Sequence, residues 1–521
     1  MNDDRANYEE ALRLQKEGKS KEALATAYRI VDPVFRAGIL IDNGTKPSTI
    51  REGVTLLEEA LKAGHGEVSR ASLLYTIGIG YSGIYQARLM NGAKLIAPND
   101  DDLRKAKRAY REALAETQGN PPPLRSRTFV NYGLCLSRLG RSFEAVEAYS
   151  SALELEPRNG MAAGNLGIEL GRVAYITDRY MHHYMLVAHD ALSKACSPNM
   201  HLSYGGPKAV RGFQETLKDL QEMIDAHKGK LAPLQKASFA KRRIAKDRYI
   251  LFCLKHGLFL NAWVGNQDVT PAISDEIEFG AITIRQSEAH VVSELLRILN
   301  EIKEAFSTAR YLFYLSHSTG QTLDEISLLT TYFIMHTEDL NGLRIGLCKS
   351  AYIRAFDVLD KVARIVNVYF GIGKRRDDFW DVLAEKQSRG EVHEIRYVAR
   401  PSVVTTQNSS LYALSDLCVD YFESEHVDFK TIDARRNRIT HDYLAVIQGA
   451  DTIAIESEIM ASELYRQTLA ILRLAKYAVL YAVSAVRIAE SQKSKPKKAP
   501  KVVHWKLSGH TSRVFKKSVH A

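Results

Sequence analysis

Over residues 1 to about 200, apolar and small positions recur at helical spacing, in pairs of amphipathic helices separated by turn residues. The clearest unit runs from Phe129 to Pro157: Phe129, Gly133, Ala145, Tyr149, Ala152 and Pro157 are in register, with Tyr132 and Leu136 at two looser positions. Small residues let the two helices of a hairpin approach, aromatic rings fill the gap to the next hairpin, and proline ends the second helix. Another copy has Ile77, Gly78 and Tyr81, an insertion from Ile84 to about Asp102, then Ala106, Tyr110 and Ala113. Leu166-Gly167 opens a further hairpin whose second helix, around Tyr184 and Ala191, is shifted; Ala11, Ala23 and Ala27 mark the weakest copy, at the start. The pattern predicts about four to five hairpins stacked as a short solenoid.

Two features interrupt it. The insertion ends in Pro98-Asn99-Asp100-Asp101-Asp102, turn and N-cap chemistry that suits a plain loop or the lining of a concave surface. The run Tyr180-Met181-His182-His183-Tyr184 invites a metal reading, but adjacent histidines on a helix point about 100° apart, so repeat packing is expected.

A break at Ser197–Gly206 precedes a helix from about Lys208 to His227, striped by Phe213, Leu217, Leu220 and Ile224. Lys236–Arg248 is basic (Lys241, Arg242, Arg243, Lys246, Arg248), as a solvated helical face or an RNA contact would be. Trp263–Gly280 reads as irregular chain. Four helices follow at about Ser287–Ser316, Gly342–Phe370, Tyr412–Ser424 and Ala454–Ser491. Gly371-Ile372-Gly373-Lys374 lacks the spacing of a phosphate loop and reads as a helix C-cap. Arg396–Ser410, with Pro401 and a Thr/Gln/Asn/Ser run, is expected to be a surface loop. The fold class is all-α.

Composition narrows the setting. The chain has 521 residues, 45% of them apolar, enough for two or three cores. Met1–Glu10 is polar, unlike a signal peptide, and the most apolar stretch, Leu469–Ala489, carries Arg473, Lys476 and Arg487, so no membrane association is expected. Five cysteines (Cys135, Cys196, Cys253, Cys348, Cys418) show no metal or redox spacing, and a cytoplasmic location is expected. The net charge of +10 is concentrated: residues 492–521 hold nine Lys/Arg and no acid, the composition of a disordered tail that holds polyanions without specificity.

Candidate chemistry sits at Asp433–Leu444, D-A-R-R-N-R-I-T-H-D-Y-L. It contains R-N-x-x-x-H-x-Y: Arg436, Asn437, His441 and Tyr443. On a helix Asn437 and His441 share one face, while Arg436 and Tyr443, seven apart, line the neighbouring ridge. The long Arg436 stem can swing its guanidinium toward the imidazole, at the head of a short helix between the third and fourth long ones. A guanidinium grips phosphate bidentately and an imidazole moves protons near neutral pH. Cleavage of RNA by its own 2′-hydroxyl needs both.

This motif resembles the R-x4–6-H signature of the HEPN superfamily of helical ribonucleases. Leu258-Phe259-Leu260-Asn261, ahead of Asp275, is similar to the entry segment of a bacterial HEPN group that carries tetratricopeptide (TPR) repeats at its N-terminus. The Phe129–Pro157 unit likewise resembles the TPR consensus. The resemblance implies a TPR-like domain over 1–200, a helical connector over 201–240, a HEPN four-helix bundle over 241–491 and the basic tail over 492–521. It also implies an endoribonuclease of toxin or defence-effector type, without metal or cofactor, whose site combines two copies of the motif across a homodimer. Arg436 and His441 would then be catalytic with Asn437 and Tyr443 beside them, and Asp357 or Asp360 would support them. Lys374, Arg375, Arg376, Arg435 and Arg438 would contact RNA, and the TPR groove would take a protein or peptide partner of unknown identity. The competing reading is a non-catalytic TPR adaptor whose HEPN-like bundle only dimerises.

Overall fold

The computed structural model describes residues 2–30, 32–64, 68–93, 97–116, 121–176, 181–200, 206–226, 247–262, 273, 275–283, 289–317, 321–332, 339–372, 379–389, 394–423, 429–448 and 458–493. They are mostly helical and fall into two compact units, one of 1–243, 262–271 and 384–419, the other of 244–261, 272–383 and 420–521. The basic stretch at 236–246, the charged trio Lys374–Arg376 and nearly all of the tail lie outside the described residues.

The first unit begins with consecutive helical hairpins: α1 (Asn2–Lys16) with α2 (Ser20–Ala27), α3 (Pro33–Asn43) with α4 (Pro47–Ala63), α5 (Arg70–Met90) with α6 (Asp101–Ala115), α7 (Pro122–Arg138) with α8 (Ser142–Leu155), and α9 (Gly160–Ile176) with α10 (Met181–Ala195). α11 (Gly206–Ala226) packs on α10 and α9. The pairing of small residue with ring is visible twice. A Cβ on Gly133 would stand 2.6 Å from the Tyr149 ring, and one on Gly78 2.5 Å from the Tyr110 ring, with both tyrosines buried. Tyr184 is also fully buried and its hydroxyl donates to the Ala262 carbonyl, so this part of the Tyr180–Tyr184 run packs the repeat.

The insertion is shorter than expected. Ile84, Tyr85 and Ala87 continue the buried stripe of α5, which keeps the helix going to Met90. Ala97–Asn99 is a single tight turn, and the Asp100 carboxylate caps α6 by accepting from the Leu103 amide at 3.0 Å.

Residues 384–419 complete this unit. β1 (Ala384–Arg389) and β2 (Glu394–Ala399) form an antiparallel hairpin, followed by α17 (Pro401–Val404) and α18 (Ser409–Glu423), whose residues up to Val419 belong here. The surface loop expected over Arg396–Ser410 is not found: Val398, Ala399, Val403, Asn408 and Ser410 are all buried. Pro401 starts a helical turn instead of breaking one, and the Asn408 side chain caps α18, accepting from the amides of Ser410 (3.1 Å) and Leu411 (3.2 Å). The segment is fastened to the hairpins at three places. The Ala399 amide donates to Asn99 Oδ1 at 2.7 Å. Lys107 Nζ (2.5 Å) and Arg141 Nη1 (2.9 Å) both reach Asp416 Oδ2, with all three side chains buried. Gly140, at φ +82°, lies so close to the Ser409 carbonyl that a Cβ would stand 2.1 Å from its oxygen.

In the second unit α12 (Arg248–His256), α13 (Ala289–His317), α14 (Gln321–Ser327), α15 (Leu343–Phe370), α16 (Phe379–Leu383), α19 (Phe429–His441) and α20 (Ala461–Gln492) are joined by two three-residue strands. These, β3 (Ala445–Ile447) and β4 (Glu458–Met460), pair in parallel with Val446 opposite Ile459. The last long helix was expected from Ala454, yet α20 starts at Ala461. Glu458, Ile459 and Met460 alternate half-buried, buried and exposed, the period of a strand. α13 packs along α15, and α15 along α20. Gly371, at φ +64°, ends α15, its amide returning to the Asn367 carbonyl at 3.0 Å, which is the cap the sequence predicts.

α20 is the core. By length and composition it could cross a membrane despite its charges, but 83% of its apolar window is buried inside the protein. Those charges tether the chain on either side of the entry segment: Lys476 Nζ donates to the Gly257 carbonyl (2.7 Å), Arg473 to that of His256 (3.2 Å) and Arg487 to that of Glu278 (2.9 Å). The entry segment is held by a buried guanidinium. Arg310 grips Asp275 through two bonds of 2.8 and 2.9 Å and donates to the Leu258 carbonyl at 2.9 Å. Asp275 in turn accepts from the Leu260 amide at 2.8 Å. Lys493, assigned to the tail by composition, donates to the Thr283 carbonyl at 2.9 Å and pairs with Glu490.

Candidate active site

The motif occupies the last turns of α19, not the head of a helix. Helix-compatible residues upstream, from Phe429, build the element, and Arg438 and His441 fall in its last turn, where cations complement the exposed carbonyls. Thr440 Oγ1 donates to the Arg436 carbonyl at 2.8 Å, and the Asp442 amide closes the final turn on Arg438 at 2.9 Å. Asn437 and His441 therefore share one face at a spacing of four, as expected, and both are exposed. Tyr443 lies beyond the helix and is 65% exposed, so it is not on the ridge with Arg436.

Arg436 is turned to α15. Its Nη2 stands 3.3 Å from Asp360 Oδ2, and its guanidinium lies 5.2 Å from the centre of the Phe356 ring. Phe356 is buried, whereas Arg436 and Asp360 are 29% and 39% exposed. The ring and the carboxylate together hold the guanidinium against α15. Of the two acids considered, only Asp360 has this contact; Asp357 pairs with Arg354 on its own helix at 3.3 Å.

Beyond Asp442 the chain is pinned. The Leu444 side chain is buried, its carbonyl accepts from Lys349 Nζ at 2.5 Å, and the Leu340 amide donates to the Val446 carbonyl at 2.6 Å. Burial pushes the Lys349 ammonium below the usual lysine range.

The region that contains all of these residues matches a known family. Residues 286–489 match the family of LA2681-like HEPN domains. No curated protein matches the chain. The HEPN span begins just ahead of α13, ends within α20 and includes the motif helix; it also includes 384–419, which lies in the first compact unit.

The remaining predicted RNA contacts separate. Arg435 is only 19% exposed and faces Glu463 at 3.9 Å, a carboxylate already gripped by Arg466 at 2.6 Å. Arg438 is half-buried, and Lys374, Arg375 and Arg376 are outside the described residues. Among the described residues no three His, Cys, Asp or Glu side chains converge as metal ligands would. The sequence reading singled out neither Phe356 nor Lys349. The signal was present: Lys349, Phe356 and Asp360 recur at helical spacing on one face of α15, two polar ends on an otherwise apolar stripe.

Proposed function

We propose that this protein is an endoribonuclease that cleaves by attack of the 2′-hydroxyl on the adjacent phosphate, without a metal, at a site made from two copies of the motif. The carrying observation is Arg436, held by Asp360 and Phe356 beside an exposed Asn437–His441 face within an HEPN domain. HEPN domains are commonly ribonucleases. One neutral His441 takes the 2′-hydroxyl proton as the oxygen attacks phosphorus; the partner subunit's His441, as imidazolium, protonates the departing 5′-oxygen. Arg436 neutralises the charge on the pentacoordinate phosphorus. The P–O5′ bond breaks, leaving a 2′,3′-cyclic phosphate and a 5′-hydroxyl.

The case for two chains is stoichiometric: the reaction uses an acid and a base, and the motif holds one histidine. The apolar surface of α20 does not add to it, because residues Leu464–Val486 are largely buried by the chain itself. The N-terminal hairpins, read as TPR-like, would take a protein or peptide partner that governs the cleavage. The test is incubation of purified protein with total RNA. Wild type should cut in the presence of EDTA and leave cyclic or 3′-phosphate ends, and His441→Ala should not. Mixed Arg436→Ala and His441→Ala chains should stay inactive, because such a pair keeps one intact His441 and the reaction uses two; recovered activity would show that one histidine suffices. Activity equal in wild type and His441→Ala would favour the adaptor reading.

A further inference from the structure

α15 touches the motif segment at two places, and they are in register. Asp360 meets Arg436, and Lys349 meets the Leu444 carbonyl. The two grips are eleven positions apart on α15, about 16 Å at 1.5 Å per residue. From Arg436 to His441 the helix climbs about 7.5 Å, and three more residues of extended chain add about 10 Å. The two spans agree, so the segment lies antiparallel along α15, held at both ends, with the Asn437–His441 face between the grips.

His441 is the last residue of its helix, where amide and carbonyl partners run out and helices fray. The next buried side chain is Leu444, and Asp442 and Tyr443 between them are exposed. The Asp442 amide holds the first residue after His441 to Arg438, and the next anchor in the main chain is the Lys349 bond to the Leu444 carbonyl, reinforced by the Leu340 amide on Val446. Lys349 is a poor candidate for a simple surface cation. It is half-buried and gives its ammonium to a neutral carbonyl, a costly arrangement unless that carbonyl must stay in place.

We infer that Lys349 is a positioning residue for His441: by holding the Leu444 carbonyl it stops the end of the motif helix from fraying and keeps the imidazole in place. This rests on the ribonuclease reading of His441 for its consequence, but not for its geometry. Misplacement of a reacting group by about 1 Å costs on the order of 100-fold in rate, with little effect on substrate binding.

The test compares Lys349→Met, which keeps the stem and removes the donor, with Lys349→Arg, which keeps a donor. Lys349→Met should lower kcat about 10- to 100-fold with KM changed less than about threefold, and Lys349→Arg should restore most of it. In parallel, the His441 Cε1–H resonance of ring-labelled protein should be single in wild type and Lys349→Arg, and broadened or doubled in Lys349→Met. If Lys349→Met does not fold, Lys349→Gln, a shorter donor, takes its place: partial loss of kcat with partial broadening supports the inference, and wild-type values for both overturn it. A His441 signal unchanged by Lys349→Met, or a loss of kcat that Lys349→Arg does not restore, also overturns it. If wild type cleaves no RNA, the ribonuclease reading fails alone, and the His441 resonance still decides the positioning role.

Discussion

Lys107 and Asp416, 309 positions apart in the sequence, meet at 2.5 Å with both side chains essentially inaccessible to water. Arg141 adds a second cation to the same carboxylate oxygen, and Asp416 Oδ1 is buried with no hydrogen-bond partner among the described residues. A stretch of the HEPN span thus completes its packing with the N-terminal hairpins inside one compact unit.

Asp416→Asn should therefore cost stability heavily, because it leaves two buried cations facing a neutral amide. The expected loss is about 3–5 kcal/mol, the usual penalty for breaking a buried pair on one side. Chemical denaturation of the full chain followed by helical content checks it. A loss under about 1 kcal/mol would mean that water already reaches the cluster.

Gly140→Ala should destabilise the same unit. Its left-handed backbone costs an L-residue about 1 kcal/mol, and the new Cβ would meet the Ser409 carbonyl oxygen at 2.1 Å, which must move. A loss of roughly 2 kcal/mol or more in unfolding free energy, read from denaturation curves, is expected. Gly64→Ala, also left-handed but with open space around it, serves as the control and should cost only the backbone part.

Asp360→Asn should reduce ribonuclease activity about fivefold or less, since a partly exposed ion pair is worth up to about 1 kcal/mol. Arg436→Lys should cost far more, as an ammonium can neither lie flat on Phe356 nor present a fork to phosphate. Single-turnover rates at saturating RNA separate the two. Equal rates for Arg436→Lys and wild type would remove the cradle from the mechanism.

Stability should fall as pH drops below about 6.5. Partial loss of solvent, then Arg473, holds the His256 imidazolium below its ordinary 6.5. Loss of solvent among the rings of Phe252, Phe313 and Tyr465 does the same to His317, opposed by the Phe313 carbonyl. Above 6.5 both residues are neutral whether folded or not. Below it the unfolded chain takes the protons first, so stability is lost as pH falls toward the lower folded values. Melting curves from about pH 8 to 5 show the slope, and His317→Phe should flatten it.

Truncation after Lys493 should leave the fold intact and weaken RNA binding, because it removes eight Lys/Arg and spares the Lys493 contacts to Thr283 and Glu490. The plot of log affinity against log salt should lose about 0.7 of slope for each phosphate contact removed. An unchanged slope would show that the tail does not touch RNA.

The sequence by itself determined the elements and the residues with chemistry. Glycine facing tyrosine across a hairpin, as Gly133 faces Tyr149 and Gly78 faces Tyr110, specifies close packing, since whether a ring fits against a backbone is decided within one hairpin. The long apolar stripes specify α13, α15 and α20, because helical periodicity is local. The motif was legible for the same reason. Only the tertiary structure decided that Arg436 takes Asp360 and not Asp357, that Lys349 pins the chain beyond His441, and that Asn408 and Pro401 begin helices in what composition marks as a loop. It alone placed Asp416 between Lys107 and Arg141. An ion pair depends on a few ångströms between side chains far apart in sequence, and no periodicity along the chain encodes that distance.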